Sequence, residues 1–200
     1  MEKNRIFRGM MLALALLMAM SFALAETASP TTGTAVPSIT IADVTAPEGV
    51  IYDGSFVISI SAVKEESAQS VVAQELVAAL ETANVTEYFA ADVIEEAAQY
   101  LPEAFDMNSL KLEEVFDLAV EGYAVEYGAV EAKFDLFVEY DDTVVLQAMV
   151  GVLPEAEDAE IIWIPVKTGV AEGKVVVVLE QEVLTLIQAN KAILVLLRAY

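Results

Sequence analysis

The sequence predicts an α+β protein: an N-terminal half with a β-hairpin and two helices, then an antiparallel β-sandwich-like C-terminal half with a strand-helix-strand ending. Three observations support this fold class. Residues 130–140 alternate between apolar and charged side chains, as a half-buried antiparallel strand does. Residues 64–83 place apolar side chains at helical spacing. Residues 175–197 change from a strand pattern to a helical pattern and back.

The C-terminal segment gives the clearest prediction of a core. Residues 175–179 are all apolar and β-branched apart from the last, which indicates a central strand covered on both faces. Glu180-Gln181-Glu182 suits the N-terminus of a helix, and Asn190 suits its C-cap. Residues 193–197 then form a second buried strand. The side chains that the helix would turn toward the core are Val183, Leu184 and Ile187.

The N-terminal half begins with an alternating strand at residues 38–44. Asp53-Gly54 separates residues 50–52 from residues 55–60, and this pair favours the positive φ angles of a tight hairpin turn. In the second arm of this hairpin, the side chains predicted to share one face are Phe56, Ile58 and Ile60.

Two helices are predicted next. The first, at residues 64–83, stops near Asn84. The second starts at Asp92, a good N-cap, and ends before Pro102. Residues 106–114 are predicted to be a polar connector with a short helical turn. The apolar stripe of the first helix consists of Val72, Leu76, Val77 and Leu80.

Strand patterns dominate after Phe116. An acidic loop at residues 154–159 joins the last two strands, and residues 167–173 lead into the C-terminal segment. These strands occupy residues 130–140, 144–152 and 160–166, the last of which contains Trp163. In the first of them, the side chains predicted to share the buried face are Val130, Ala132, Phe134, Leu136, Val138 and Tyr140.

The first 25 residues have the pattern of a bacterial secretory signal peptide. Lys3, Arg5 and Arg8 precede an apolar segment too short to span a membrane, and Ala23-Leu24-Ala25 fits cleavage after Ala25. We therefore divide the chain into a signal peptide (1–25), a flexible tether rich in Thr, Ala and Pro (26–37), an α+β N-terminal part (38–118) and an antiparallel β-rich domain (119–200).

The rest of the chain favours a protein that is secreted or loosely associated with the cell wall. It has no cysteine, so it forms no disulfide and lacks the lipid-modified cysteine of a lipoprotein. Leu101-Pro102-Glu103 and Leu153-Pro154-Glu155 lack the Thr-Gly of a wall-sorting signal. Polar residues interrupt the apolar C-terminus, so we expect no stable membrane insertion after cleavage.

The chain is strongly acidic. Its formal charge is −22, and removal of a signal peptide with a net charge of +2 leaves −24. Such a polyanion repels phosphate backbones, which argues against nucleic acid as a partner. The acidity keeps an apolar chain in solution, and a surface for cations or cationic partners is the alternative.

The absence of histidine excludes Ser-His-Asp and Cys-His nucleophiles and histidine-based zinc sites. No carboxylate lies in a recognisable motif, so we expect no catalytic residue, no cofactor and no enzyme activity. The alternative is a carboxylate-dependent carbohydrate enzyme, because two carboxylates at the right separation can act as acid and base.

Two oxygen-rich segments resemble the ligands that calcium prefers, namely Asp141-Asp142 and the loop that contains Glu155, Glu157, Asp158 and Glu160. Neither has the spacing of a calcium-binding loop. We therefore interpret both as solvated turns and predict no metal site.

Aromatic residues on the strands are candidates for binding a glycan or peptide. Packing within the sheet is the alternative interpretation. Phe137 differs from the others because it lies between Asp135 and Glu139, on the face expected to be wet, where it could mark a contact surface. The candidates are Tyr123, Tyr127, Phe137, Tyr140 and Trp163.

Several features together resemble a family, the uncharacterised secreted proteins of anaerobic Gram-positive bacteria. They are Tyr127-Gly128, the long strand around Phe134, Trp163, Gly173-Lys174-Val175 and the strand-helix-strand ending. The resemblance covers residues 93–197 and implies a secreted protein without an assigned activity.

The sequence thus favours a secreted, non-catalytic interaction or structural module of the extracellular space or cell envelope. Its expected partner is an extracellular protein or a wall glycan.

Overall fold

The computed structural model describes residues 38–45, 54–64, 66–136, 138–155 and 160–200. All of them belong to one compact unit, Val36–Tyr200. The predicted signal peptide with Ala25, the tether, the first arm of the predicted hairpin and Phe137 lie outside the described residues.

The elements follow in chain order. They are β1 (Ser38–Thr45), β2 (Val57–Ala62), α1 (Ala68–Leu80), α2 (Val85–Tyr88), α3 (Ala91–Ala98), β3 (Leu110–Glu121), β4 (Ala129–Asp135), β5 (Leu146–Leu153), β6 (Ile162–Ala171), β7 (Lys174–Leu179), α4 (Gln181–Ala189) and β8 (Lys191–Ala199).

The strands form one eight-stranded sheet with the order β1-β4-β7-β6-β5-β8-β3-β2. All neighbouring strands are antiparallel. The first and last strands of this order, β1 and β2, lie close to each other, so the sheet is nearly closed and barrel-like. The predicted mixture of helices with an antiparallel, strand-rich body is confirmed, but a continuous curved sheet takes the place of the expected sandwich.

β6 connects the two parts of the sheet, because its first half pairs with β5 and its second half, Lys167–Ala171, pairs with β7. The prediction that this strand ends at Val166 is therefore wrong. The turn to β7 consists of Glu172 and Gly173, whose φ angles of 56° and 76° are both positive. Two positive φ angles match the right-handed twist of adjacent strands and make a tight hairpin.

Side chains replace backbone pairing at the point where β6 leaves β5. Gln147 is fully buried, and its Nε2 donates hydrogen bonds to the carbonyl oxygens of Ala148 and Val166 at 2.7 and 3.0 Å. The hydroxyl of Thr168 accepts a hydrogen bond from the Ala148 backbone N–H at 2.9 Å. The Thr168 hydroxyl also donates to the Val166 carbonyl oxygen at 2.8 Å, so polar side chains bind the backbone where the two strands separate.

The inner face of the sheet holds the main core, to which all eight strands and α4 contribute apolar side chains. α4 follows the end of β7 and precedes β8, so it lies at one end of the sheet. The predicted helix and its end at Asn190 are confirmed, and Asn190 Nδ2 donates to the Leu186 carbonyl oxygen at 2.9 Å. The predicted core residues Val183, Leu184 and Ile187 are all buried.

A second core lies between α1–α3 and the outer face of β3, β5 and β8. β5 is buried along its whole length, and residues 192–197 of β8 are buried as well, as predicted for a strand covered on both faces. β7 differs. It lies between β4 and β6, as a central strand should, but Val176 and Val178 are only half-buried, so the prediction that both of its faces are covered is wrong.

The N-terminal half departs from the predictions at several residues. Phe56, Ile58 and Ile60 share the buried face as predicted, whereas Val77 of α1 is 40% exposed. Ala90, not Asp92, is the N-cap of α3. β3 starts at Leu110, inside the predicted polar connector, and continues through the predicted division between residues 118 and 119.

β4 is shorter than predicted. It ends at Asp135, Val138 is 51% exposed, and Tyr140 is buried again after the chain has turned. The Tyr140 backbone N–H donates to the Gly173 carbonyl oxygen at 3.0 Å, which holds this segment against the turn between β6 and β7.

Candidate functional site

Polar side chains gather at the end of the sheet opposite α4. Leu110 of β3 pairs with Ala199 of β8, whereas α4 adjoins the other end of β8 at Lys191. We call the side chains at this end the polar rim, which comprises Glu113, Glu114, Tyr140, Arg198 and Tyr200.

A β-bulge in β3 positions the two glutamates. Leu112 pairs with Leu197 and Glu114 pairs with Leu196, so Glu113 is an extra residue without a partner position on β8. A bulge of this kind turns a side chain away from the regular alternation, and bulges are frequent at the rims of curved sheets. It also changes the face of the strand, because Leu110 and Leu112 contact the outer core while Phe116 faces the inner core.

Glu113 is the centre of the polar rim. Its Oε1 accepts hydrogen bonds from Arg198 Nη1 and from the Tyr140 hydroxyl, both at 3.4 Å. Its Oε2 accepts a hydrogen bond from the Tyr200 hydroxyl at 2.7 Å. The Glu113 side chain is 17% exposed and that of Arg198 is 30% exposed. Both carboxylate oxygens are therefore bound within the protein.

Arg198 also contacts two aromatic rings. Its guanidinium carbon lies 5.8 Å from the centre of the Tyr140 ring and 5.2 Å from that of the Tyr200 ring. At these distances a cation interacts favourably with the electron-rich face of the ring. The C-terminal residue is thereby bound to the sheet through Glu113 and Arg198.

The surroundings keep the two tyrosine hydroxyls protonated. Burial, with a smaller contribution from the negative charge of Glu113, raises the pKa of Tyr140 to about 12. The hydrogen bond to Glu113 raises the pKa of Tyr200 above its ordinary value of 10.0. Both hydroxyls therefore act as hydrogen-bond donors at neutral pH and not as bases.

Glu114 is the second acidic residue of the polar rim. Burial, and then the charge of Glu113, raises the pKa of Glu114 above its ordinary value of 4.5. A carboxyl group with a raised pKa beside a second carboxylate can serve as a proton donor in general acid–base catalysis. Because Glu113 already binds three side chains, its carboxylate is occupied before any ligand arrives.

The aromatic residues singled out in the sequence do not form one surface. Tyr123 and Tyr127 are buried near α4, where their rings lie 5.5 and 5.4 Å from that of Phe56. Gln188 of α4 accepts a hydrogen bond from the Tyr123 backbone N–H at 2.6 Å and donates one to the Tyr123 carbonyl oxygen at 3.1 Å. Both tyrosines thus contribute to packing at the α4 end.

Trp163 lies in the second core. Its ring packs edge-on against Phe89 at 5.1 Å and against Tyr88 at 6.2 Å. Tyr140 belongs to the polar rim, and Phe137 lies outside the described residues. The candidate aromatics are therefore spread over three separate places.

The two acidic segments considered for calcium are Asp141-Asp142 and the loop at residues 155–160. Asp141 Oδ1 accepts hydrogen bonds from the Thr143 backbone N–H at 2.8 Å and from its hydroxyl at 2.6 Å, and these bonds lower the pKa of Asp141. Asp142, Glu155 and Glu160 are exposed, whereas Glu157 and Asp158 lie outside the described residues. Among the residues that the structure describes, no group of three or more His, Cys, Asp or Glu side chains could hold a metal ion.

The polar rim was not predicted from the sequence, although the sequence of β3 contains one sign of it. Apolar residues occupy every second position of β3 from Leu110 to Val120 except position 114, where Glu114 follows Glu113. Two adjacent glutamates at the only break of this alternation indicate a bulge or a change of face. Nothing in the local sequence links them to Arg198 or Tyr200, which reach them through the pairing of β3 with β8.

No helix within the described ranges combines the length and the apolar character needed to cross a membrane. The chain matches no family model, no curated protein and no solved structure.

Proposed function

We propose that this protein is a secreted, non-catalytic interaction or structural module of the extracellular space or the cell envelope. The observation that carries the proposal is the filled inner face of the sheet, where side chains from all eight strands and α4 pack together. A sheet of eight strands encloses a space that side chains can just fill, which leaves recognition to the outer surface. Glu113 is bound by Arg198 and two tyrosines, which fits a structural role for the polar rim.

The partner of this module is an extracellular protein or a wall glycan. Secretion is supported by the signal-peptide pattern that ends at Ala25. The resemblance to secreted proteins of Gram-positive bacteria supports the same setting. The formal charge of −22 favours contacts that are steered by cationic groups on the partner.

Export and envelope binding are tested together. The full chain is expressed in a Gram-positive host, and the protein recovered outside the cells is sequenced from its N-terminus, where we expect Glu26. The secreted protein is then sedimented with isolated envelopes at increasing salt concentration. Binding that decreases with salt supports the proposal, whereas retention inside the cells or an absence of envelope binding contradicts it.

The second candidate is a carboxylate-dependent carbohydrate enzyme, which the adjacent glutamates of the bulge favour. In this candidate Glu114 is the proton donor, because its pKa is raised, and Glu113 is the second carboxylate. The release of reducing sugar from envelope glycans by the wild-type protein, but not by the Glu114→Gln variant, would establish this function. Equal release from both proteins, or none from either, would exclude it.

A further inference from the structure

The outer surface of β4, β7 and the second half of β6 differs from the rest of this acidic protein. Pairing aligns Lys167, Val178 and Glu131 across the three strands, and the next aligned set is Gly169, Val176 and Lys133. Lys174 and Asp135 follow at the end near the turn. We call this surface the lysine face.

The lysine face carries no net charge. Lys133 pairs with Glu172 at 3.0 Å, and Lys174 pairs with Asp135 at 3.0 Å. Lys167 and Glu131 complete three positive and three negative side chains, so these six side chains add nothing to the formal charge of −22. The chain as a whole is strongly acidic, so two copies repel each other, and contact through the balanced charges of the lysine face adds little to this repulsion.

The same surface is open and partly apolar. Val176 and Val178 of β7 are half-buried, while Lys167 and Gly169 of β6 are exposed. A Cβ atom placed on Gly169 would meet no described atom within 4 Å, so nothing in the described part of the chain lies over this position. Outer faces of two sheets can pack on each other at about 10 Å with nearly aligned strands.

A two-fold axis along β7 makes the lysine face complementary to itself at the level of Val178, whereas Lys174 would meet its own copy and keeps Asp135 as its counter-ion at 3.0 Å. Rotation about this axis lays β7 on its copy, so that Val176 and Val178 meet the same valines. It also lays β6 on the partner's β4. Because Lys167 and Glu131 flank Val178 at the same level, each Lys167 then lies opposite the partner's Glu131.

We propose that the protein forms a symmetric dimer through the lysine face, with a second copy of this chain as the occupant. This self-association goes beyond envelope binding and does not depend on it. If the secreted protein binds envelopes as a monomer, the dimer proposal is wrong and the proposed function is unaffected.

Sedimentation velocity of the secreted protein, at concentrations up to about 1 mM, tests the proposal with a charge reversal. Lys167→Glu places two like charges opposite each other and should lower the association constant by about tenfold or more, as should Glu131→Lys. The double variant Lys167→Glu/Glu131→Lys restores the opposite signs and should return to within about threefold of the wild type.

Lys111→Glu is the matched control, because Lys111 is an exposed lysine of β3 outside the lysine face and its reversal changes the net charge equally. It should leave the association constant within about threefold of the wild type. The fluorescence of Trp163, the only tryptophan, verifies that each variant is folded. A monomer over the whole range, an unaffected Lys167→Glu variant or a double variant that fails to recover would each overturn the proposal.

Discussion

Glu113 connects β3 with the C-terminus and with the segment around Tyr140. Its carboxylate accepts hydrogen bonds from Arg198, Tyr140 and Tyr200, and it is shielded from water on most sides. A charged acceptor with several donors contributes more to stability than an exposed ion pair does. A single residue thereby joins elements that are distant in the sequence.

Replacing Glu113 with Ala should lower the free energy of unfolding by about 1–3 kcal/mol, because Arg198 and the Tyr140 hydroxyl lose their acceptor in a partly buried place. The measurement is urea denaturation followed by circular dichroism. Glu121→Ala is the control, since Glu121 is an exposed residue of the same strand and should change stability by less than about 0.5 kcal/mol. Equal effects of the two substitutions would refute the central role of Glu113.

The raised pKa of Glu114 predicts the direction in which its replacement changes the stability of the protein. Because its pKa in the folded protein lies above the ordinary 4.5, folding is penalised when Glu114 is ionised and is not penalised when it is protonated. Glu114→Gln should therefore raise the melting temperature slightly at pH 7, because the Glu114 side chain remains exposed to water, and the difference should disappear below pH 4.5. A variant that is less stable than the wild type at pH 7 would contradict the stated cause of the shift.

At the scale of elements, Gly151 explains how the helical layer meets the sheet. A Cβ atom at this position of β5 would lie 2.7 Å from Trp163 Cζ3, closer than real contacts allow, and 3.1 Å from Ile193 Cγ1, which is a tight contact. The missing side chain gives the indole ring room to lie against the sheet, where it also packs on Phe89 and Tyr88.

Gly151→Ala should cost about 1–3 kcal/mol of unfolding free energy, since overfilling a packed core forces side chains out of place. It should also shift the Trp163 emission to longer wavelength as the ring moves toward water. Gly169→Ala is the matched control in β6, where a Cβ atom meets nothing within 4 Å, and it should be neutral within about 0.5 kcal/mol. A tolerated Gly151→Ala with unchanged emission would show that Trp163 packs elsewhere.

The sequence predicts an element correctly when its apolar side chains lie on the faces that other elements cover. Residues 193–197 of β8 are apolar throughout because helices cover one face and the inner core covers the other. The same reasoning failed for β7, where Val176 and Val178 are as apolar but lie on an open face. An apolar run alone does not distinguish a strand that is covered on both faces from a strand that is covered on one face and carries apolar side chains on its open face.

Other features depend on long-range pairing and have no local pattern. β6 passes from β5 to β7 although Lys167, Thr168 and Gly169 read as a connection. The closure of the sheet brings β1 close to β2, and no short segment encodes this proximity. The polar rim likewise requires both the bulge of β3 and its pairing with β8.

At the scale of the whole molecule, charge is the dominant property. All of the acidic residues except Glu2 and Glu26 belong to the compact unit that begins at Val36, and their mutual repulsion opposes folding because the unfolded chain can spread the charges apart. Dissolved salt screens these interactions over about 8–10 Å at moderate ionic strength.

Raising sodium chloride from about 10 mM to about 500 mM should increase the melting temperature by about 2–5 °C, because screening relieves the repulsion. The measurement is thermal denaturation at pH 7, with potassium chloride as a check that the effect is not specific to one cation. A melting temperature that decreases with salt would show that attractive ion pairs outweigh the repulsion.

The core on the inner face of the sheet includes residues from both halves of the chain, so that function is left to the surface. Native-state amide hydrogen exchange tests this most directly. We predict that protected amides of β3, from the first half, and of β4, β5 and β8, from the second, open with one common free energy equal to that of global unfolding. Two groups of strands that open with different free energies would contradict a core that both halves share.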